Sequence, residues 1–393
     1  MNKRYKIFIV LMILISGCVV EKPSLIHLES LISQIKSKKA PDKRVAIFDV
    51  KVEKDKDKIV LRGESNLPVA IAELKDSLYS KNISFVDSIK MLPEEELNGK
   101  THAVVNLSVA NLRSQPQHSA ELATQATLGT PLKVLKKEGG WYLVQTPDQY
   151  ISWLDWGGLQ LMNEVDFTSW EASEKLIYLK PFGFSYKSPL AEAATIADLV
   201  MGDIIELTNE LKNFYEVRYP DGTIAFIPKN EAMLYQDWLQ KLNPSETSVV
   251  ETAFGLNGFP YLWGGTSFKG VDCSGFTKTV YFMNGMVIPR DASQQIHTGK
   301  LVDDKRNFKN LLSGDLLFFG RPATDSASEK VVHVGIWIGN GEFIHASGNV
   351  HVSSMDSTSE NFDQYNYDRY LRTKRLLGQE DEKVIPLKEN TIF

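Results

Sequence analysis

Three residues in the C-terminal third could perform nucleophilic chemistry together: Cys273, His333 and His345. Cys273 follows a glycine-rich stretch, Tyr261-Leu262-Trp263-Gly264-Gly265, and sits within Asp272-Cys273-Ser274-Gly275-Phe276. Phe276, Val280 and Met283 recur at helical spacing and Gly285 supplies a stop signal, which predicts a helix with Cys273 in its first turn. Unpaired backbone N–H groups and the positive end of the helix dipole would stabilise a thiolate there, and the same groups could hold an oxyanion. Asp272 works against this, because a neighbouring carboxylate raises a thiol pKa unless it caps the helix or binds substrate. Taken alone, Cys273 reads equally well as a small buried hydrophobe.

The two histidines shift that balance, since an imidazole beside a thiol can take its proton and return it to a leaving amine. Val331–Ile338 and Glu342–Ala346 read as adjacent strands around Gly339-Asn340-Gly341. A strict two-residue turn at Asn340-Gly341 would pair His345 with Ile336 and put the histidines on opposite faces. A three-residue turn or a bulge is therefore predicted, with His345 opposite Gly335 and diagonal to His333. Cys273, His333 and His345 could also hold zinc, but the thiol lies at a helix start rather than in a ligand-spaced pair, so no metal and no cofactor is expected. His27, His102, His118, His297 and His351 read as surface or capping residues.

The chain has 393 residues, 43% hydrophobic and 24% charged, with room for two or three cores at roughly 150 residues each. Lys plus Arg number 44 against 49 Asp plus Glu, a net charge of −5. No basic stripe forms, which argues against nucleic acid as a partner. No apolar run is long enough to span a bilayer. The longest, Ile7–Ile15, follows Lys3, Arg4 and Lys6 and precedes Ser16-Gly17-Cys18, and it reads as a signal peptide over residues 1–17. Ile15-Ser16-Gly17-Cys18 resembles a bacterial lipobox. This implies lipidation at Cys18 and an exported protein anchored to a bacterial membrane rather than spanning it. Cys18 and Cys273 are the two cysteines, so Cys273 is left without a disulfide partner.

The elements around this chemistry read as a multidomain α+β protein. Residues 18–42 are expected to be a lipidated spacer, and residues 43–100 a small α+β module without Cys and with no catalytic role. Residues 101–165 and 166–240 form an internal repeat at an offset of 73 positions: Trp141-Tyr142 meets Phe214-Tyr215, and Pro147-Asp148 meets Pro220-Asp221. Short alternating strands punctuated by Gly, Pro and Asp indicate small β-barrels, and the first resembles a bacterial SH3-like domain. Glu121 and Tyr150 of the first copy meet Ala194 and Thr223 of the second, so the barrel itself requires neither side chain. Residues 246–378 carry the reactive side chains, and the tail 379–393 is expected to pack loosely.

The motifs Pro260–Gly265, Asp272–Phe276, Pro289–Gln295, Gly314–Phe319 and His333–Gly339, closed by Phe343-Ile344-His345-Ala346, resemble an NlpC-type cysteine peptidase domain. The resemblance implies a papain-like α+β fold with Cys273 as nucleophile, His333 as base and acid, His345 as orienting residue and Tyr261 as oxyanion support. Two SH3-like barrels ahead of such a domain further resemble the γ-D-glutamyl-L-diamino acid endopeptidases. That resemblance implies a hydrolase of murein peptides that bear a free N-terminal L-Ala, and the chain is expected to be a monomer. Glu121 and Tyr150 would bind the amine, Asp272 would add a second negative charge, and Ser274 and Ser293 would contact substrate. The rival expectations are a wall-remodelling endopeptidase acting on intact peptidoglycan and an inactive wall-binding lipoprotein.

Overall fold

Helix formation in the N-terminal part follows from apolar spacing: Leu28, Ile32 and Ile35 lie on one face of a helix over Leu25–Lys39 and are buried. The structure, a computed structural model, describes residues 25–56, 58–190, 192–390 and 392–393. The signal segment and the lipidation site Cys18 lie outside the described residues. The helix Leu25–Lys39 packs on the strand Phe48–Asp55 and the helix Pro68–Tyr79. Residues 25–39 are thus part of a folded module rather than a spacer, because their buried stripe needs an apolar partner. The module is completed by the strands Lys58–Ser65 and Phe85–Met91 in a three-stranded sheet with Lys58–Ser65 at its centre.

The chain divides into two compact units, residues up to Pro41 with Phe48–Lys90, and Asp42–Ile47 with Met91–Phe393. The six residues Asp42–Ile47, expected within or beside the module, therefore belong to the second unit. Their backbone explains why. The Arg44 carbonyl accepts from the Ile151 N–H at 2.7 Å, and the Val45 carbonyl accepts from Gln145 Nε2 at 3.1 Å.

In the second unit the 73-residue offset holds strand by strand. His102–Val105, Val109–Arg113, Leu122–Thr127, Trp141–Gln145 and Ile151–Asp155 recur as Lys175–Tyr178, Phe182–Tyr186, Thr195–Val200, Phe214–Arg218 and Ile224–Pro228. Each copy is a seven-stranded sheet, and the strand order agrees between the two. Alternation places Ala103, Val105, Leu112, Val134, Val144 and Leu154 inside the first barrel, and Leu176, Leu199, Ile205, Val217 and Ile227 inside the second.

The C-terminal part is built on a six-stranded antiparallel sheet in the order Lys300–Asp303, Tyr370–Arg375, Leu316–Arg321, Lys330–Gly339, Glu342–Ser347, Asn349–Ser354. The helix Cys273–Met283 lies against the strands that carry His333 and His345. Phe276 and Val280 from the helix and Phe318, Val334, Ile336 and Ile344 from the sheet share one core. The tail departs from expectation: Ile385–Pro386 pairs with Met286–Val287, and Leu387 and Phe393 are buried against Tyr235 and Trp238. Their apolar side chains find a cleft between elements that local composition does not reveal.

Candidate active site

Asp272 caps the helix that starts at Cys273, its Oδ1 accepting the Gly275 N–H at 2.7 Å. Gly275 is needed for a close approach, since a Cβ there would stand 1.9 Å from the Gly265 carbonyl oxygen. The thiol is buried and touches the neighbouring strand, where the Val334 N–H donates to its sulfur. Burial, and after it the Asp272 charge, pushes the Cys273 thiol up to about 12, outweighing the backbone N–H groups that favour the thiolate. The Cys273 side chain thus rests as a neutral thiol, contrary to the expectation from the helix start alone.

The hairpin that supplies the histidines keeps its tight Asn340-Gly341 turn, with Gly339 paired to Glu342, and inserts a bulge between Trp337 and Gly339. Ile336 then pairs with Ile344, which sets Gly335 opposite His345 as the face argument required. A Cβ on Gly335 would lie 2.7 Å from the Phe343 ring and 3.1 Å from His345 Cβ. His333 Nε2 stands 2.7 Å from His345 Nδ1, and His345 Nε2 stands 3.0 Å from Ser353 Oγ. Asp363 Oδ2 lies 4.0 Å from the same His345 nitrogen. Burial, reinforced by the adjacent His345, holds His333 well below the usual imidazole range. Burial and then His351 bring His345 down to about 3. His333 directly precedes Val334, whose N–H reaches the thiol, and a neutral imidazole can accept a proton.

Cys273 opens into a cleft of about 490 Å³ whose wall includes Glu121, Tyr150, Tyr261, Asp272, Ser274 and Ser293. The first barrel therefore forms one side of the cleft. Its docking is polar and close: Gln125 Oε1 accepts from the Thr266 N–H and from Ser267 Oγ, both at 3.0 Å. Lys278 of the nucleophile helix pairs with the buried Asp148 at 2.7 Å. Glu121 accepts from Trp263 Nε1 at 2.8 Å, and Tyr150 donates to Asp291 Oδ2 at 3.2 Å. Tyr261 is partly buried, and burial together with the nearby Cys273 and Asp272 raises its phenol above the ordinary range. Among the described residues no group of three or more His, Cys, Asp or Glu is arranged to hold a metal ion.

Asp272 itself is heavily committed. Besides the Gly275 cap, it accepts from the Gly264 N–H and takes Arg290 in a two-pronged pair at 2.6 and 3.1 Å. Ser274 Oγ accepts from the same guanidinium at 2.9 Å. Ser293 Oγ accepts instead from Arg44 at 2.8 Å. Arg44, Trp263, Arg290, Asp291 and Ser353 carry no role in the sequence reading. The signal for Arg290 was available, as the first charge after the apolar run Met286–Pro289. Arg44 gave none.

The NlpC/P60 family profile matches residues 258–372, and the profile of the bacterial dipeptidyl-peptidase SH3 domain matches residues 112–159. A gamma-D-glutamyl-L-lysine dipeptidyl-peptidase of Bacillus cereus is 32% identical over 234 residues, which is 58% of this chain and 67% of that protein. The chain belongs to the NlpC/P60 family. Dipeptidyl-peptidase 6 of Lysinibacillus sphaericus is 28% identical over 269 residues, 65% of this chain and 92% of that one. The crystal structure of an NlpC/P60 family protein from Bacillus cereus superposes with a TM-score of 0.59 at 26% identity, covering 70% of this chain and 99% of the other. The NlpC/P60 match spans every motif from the glycine-rich Tyr261–Gly265 stretch to His345. The family is one of cysteine peptidases, and in this chain its domain follows the segment that matches the bacterial dipeptidyl-peptidase SH3 domain. Residues 42–47 lie outside both matched segments.

Proposed function

We propose that this NlpC/P60 peptidase hydrolyses the γ-D-Glu–diamino acid bond of murein peptides that carry a free N-terminal L-Ala, releasing L-Ala-D-Glu. The observation that carries the reading is the presence of Glu121 and Tyr150, from the first barrel, in the wall of the cleft that holds Cys273. The second barrel has Ala194 and Thr223 at the equivalent positions, so these side chains serve something other than the barrel. A carboxylate and a phenol oxygen in the cleft wall suit an ammonium group and disfavour an acylated nitrogen, which brings no charge to them. The names of the similar Bacillus proteins point to the same class of bond.

In this mechanism Cys273 Sγ attacks the γ-carbonyl carbon while its proton passes to His333. The oxyanion is held by backbone N–H groups of the first helical turn, with Tyr261 beside it. His333 returns the proton to the diamino acid nitrogen as the C–N bond breaks, leaving a thioester to L-Ala-γ-D-Glu. Water then attacks the thioester carbon, giving a proton to His333. The C–S bond breaks, and thiol and carboxylate are restored.

The test is to incubate the protein with L-Ala-γ-D-Glu-diaminopimelate and with its N-acetylated form, alongside Cys273→Ala, and to follow dipeptide release by mass spectrometry. Cleavage of the free-amine peptide alone supports the reading. Equal cleavage of both, or activity in the Cys273→Ala variant, overturns it. Export and anchoring through a lipid on Cys18 complete the proposal. Their test is the mass of the mature N-terminal peptide from the membrane fraction of expressing cells.

A further inference from the structure

The chain of contacts from His333 through His345 to Ser353 can be wired in two directions, and its own hydrogen bonds do not choose between them. In one, His333 Nε2–H donates to His345 Nδ1 and His345 Nε2–H donates to Ser353 Oγ, so His333 Nδ1 carries a lone pair. In the other, the Ser353 hydroxyl donates to His345 Nε2, His345 Nδ1–H donates to His333 Nε2, and the His333 hydrogen sits on Nδ1. Both fit the same distances, 2.7 Å between the imidazoles and 3.0 Å to the serine. A hydroxyl donates as readily as it accepts, so Ser353 completes either arrangement. Only the first leaves His333 able to take a proton on Nδ1.

Asp363 breaks the tie. Its Oδ2 stands 4.0 Å from His345 Nε2, beyond a hydrogen bond but close for a charge. An ionised carboxylate accepts and cannot donate, so it favours a hydrogen on the facing nitrogen and opposes a lone pair there. His345 is 1% exposed and the Asp363 side chain 17% exposed, so solvent screens the pair little.

The carboxylate is also held in place. Asp363 caps the short helix Gln364–Asp368, its Oδ1 accepting the Asn366 N–H at 2.9 Å while Oδ2 accepts from the Asn366 side-chain amide. The Asp363 N–H donates to the Ser354 carbonyl at 2.9 Å, which ties it to the strand that carries Ser353. The nearby cation, Arg369, spends Nε and Nη2 on Asn366 Oδ1 at 3.0 and 2.8 Å, and so fixes the amide while leaving the carboxylate facing His345. His333 and His351 face the His345 ring at 5.0 and 4.5 Å between centroids. Of the groups that act on His345, Asp363 favours positive charge there, whereas His351 and Arg369 oppose it.

We infer that Asp363 is a positioning residue of the peptidase site: its charge orients the His345–His333 pair so that the His333 hydrogen lies on Nε2 and Nδ1 is bare. Its part is electrostatic, and no proton passes to it. In the attack step the thiol proton goes to His333 Nδ1, and the positive charge that forms on the imidazole pair has a carboxylate at its far end. The inference deepens the mechanism proposed above and rests on the roles given there to Cys273 and His333, not on the free amine of the peptide.

The experiment compares the full chain with Asp363→Asn and Asp363→Ser. Histidine tautomers are read from long-range proton–nitrogen correlation spectra, and kinetics are measured on L-Ala-γ-D-Glu-diaminopimelate. Asp363→Ser keeps an oxygen for the Asn366 N–H, and hence the helix cap, without the charge. Thermal unfolding checks both variants. In the wild type, His333 and His345 should each carry hydrogen on Nε2. In both variants a second population with hydrogen on Nδ1 of each ring should appear, and kcat should fall by about tenfold with KM within about twofold of wild type. Poorer folding would lower kcat without changing the tautomers of the folded fraction. If wild-type His333 carries its hydrogen on Nδ1, the inference is overturned whether or not the variants fold. If the folded variants keep the wild-type tautomers or the wild-type kcat, it is overturned while the proposed function stands. If the wild type does not cleave the peptide, the proposed function fails, and the tautomers, read without substrate, decide the role of Asp363 by themselves.

Discussion

His333 and His345 face each other through Nε2 and Nδ1 at 2.7 Å, and this contact fixes how protons can be arranged in the site. With Nε2 engaged, Nδ1 is the His333 nitrogen left to take the thiol proton in the proposed mechanism. For that Nδ1 to accept a proton, the ring hydrogen must sit on Nε2 and be donated to His345 Nδ1. His345 then carries its own hydrogen on Nε2 and donates it to Ser353 Oγ, 3.0 Å away. One buried relay sets both tautomers.

Ser353→Ala should therefore lower kcat by about five- to tenfold, the worth of one buried hydrogen bond, with KM unchanged. Ser353→Thr keeps the hydroxyl and should recover most of the rate. His345→Ala removes the whole orienting group and should lower kcat by a factor of roughly 100 or more. Steady-state kinetics on a murein tripeptide would check this series, and a Ser353→Ala variant with wild-type kcat would show that the serine does not set the tautomer.

The pH dependence follows from two neutral partners. Burial keeps His333 unprotonated well below its ordinary range, and Cys273 is pushed up to about 12. Transfer of a proton from thiol to imidazole needs no net change in protonation between those limits. The profile of kcat/KM should thus be flat from about pH 6 to pH 9, without the acid limb an ordinary histidine would impose near 6.5. Iodoacetamide labelling of Cys273 in the free enzyme should rise by about tenfold per pH unit through neutrality, as the small thiolate fraction does. A labelling rate already at its plateau at pH 6 would contradict the neutral resting thiol.

Gly275→Ala should damage the site through the backbone. The added Cβ would meet the Gly265 carbonyl oxygen at 1.9 Å, so either the helix start or the glycine-rich stretch must move. A loss of about 2–3 kcal/mol in unfolding free energy is expected, together with loss of activity. Urea denaturation and residual kcat measure the two effects. An unchanged midpoint would mean that the loop yields without cost.

At the barrel wall, Glu121→Gln and Tyr150→Phe should each raise KM for the free-amine peptide by about tenfold while leaving kcat nearly constant. Thr223→Val, at the position equivalent to Tyr150 in the second barrel, should change neither constant. A comparable KM effect from Thr223→Val would indicate that stability of the barrels, not contact with substrate, controls the result.

Much of this was open to a reader of residue patterns. Helical spacing after Cys273, the paired strands around Asn340-Gly341 and the repeat at 73 positions all follow from local periodicity, and the strands fall where that offset sets them. The requirement that His333 and His345 share a face even predicted an irregular hairpin, which the bulge at Ile338 supplies. The extra helix Leu25–Lys39 and the docked tail were less legible, because a short apolar stripe does not announce the surface that will cover it. Arg44 was invisible, since a charged residue in a polar segment reads as solvated and its partners lie 247 and 249 positions away.

The sequence by itself determined which residues can do chemistry and which elements carry them, since side-chain type, turn preference and periodicity are local properties. The tertiary structure alone decided the charge state and the neighbours of those groups. Burial holds a helix-start cysteine as a neutral thiol, Arg290 pairs with Asp272, and Arg44 brings Asp291 and Ser293 into one network with the first barrel. Desolvation and ion pairing depend on what lies within a few ångströms in space, and for these residues that is set by chain segments far apart in the sequence.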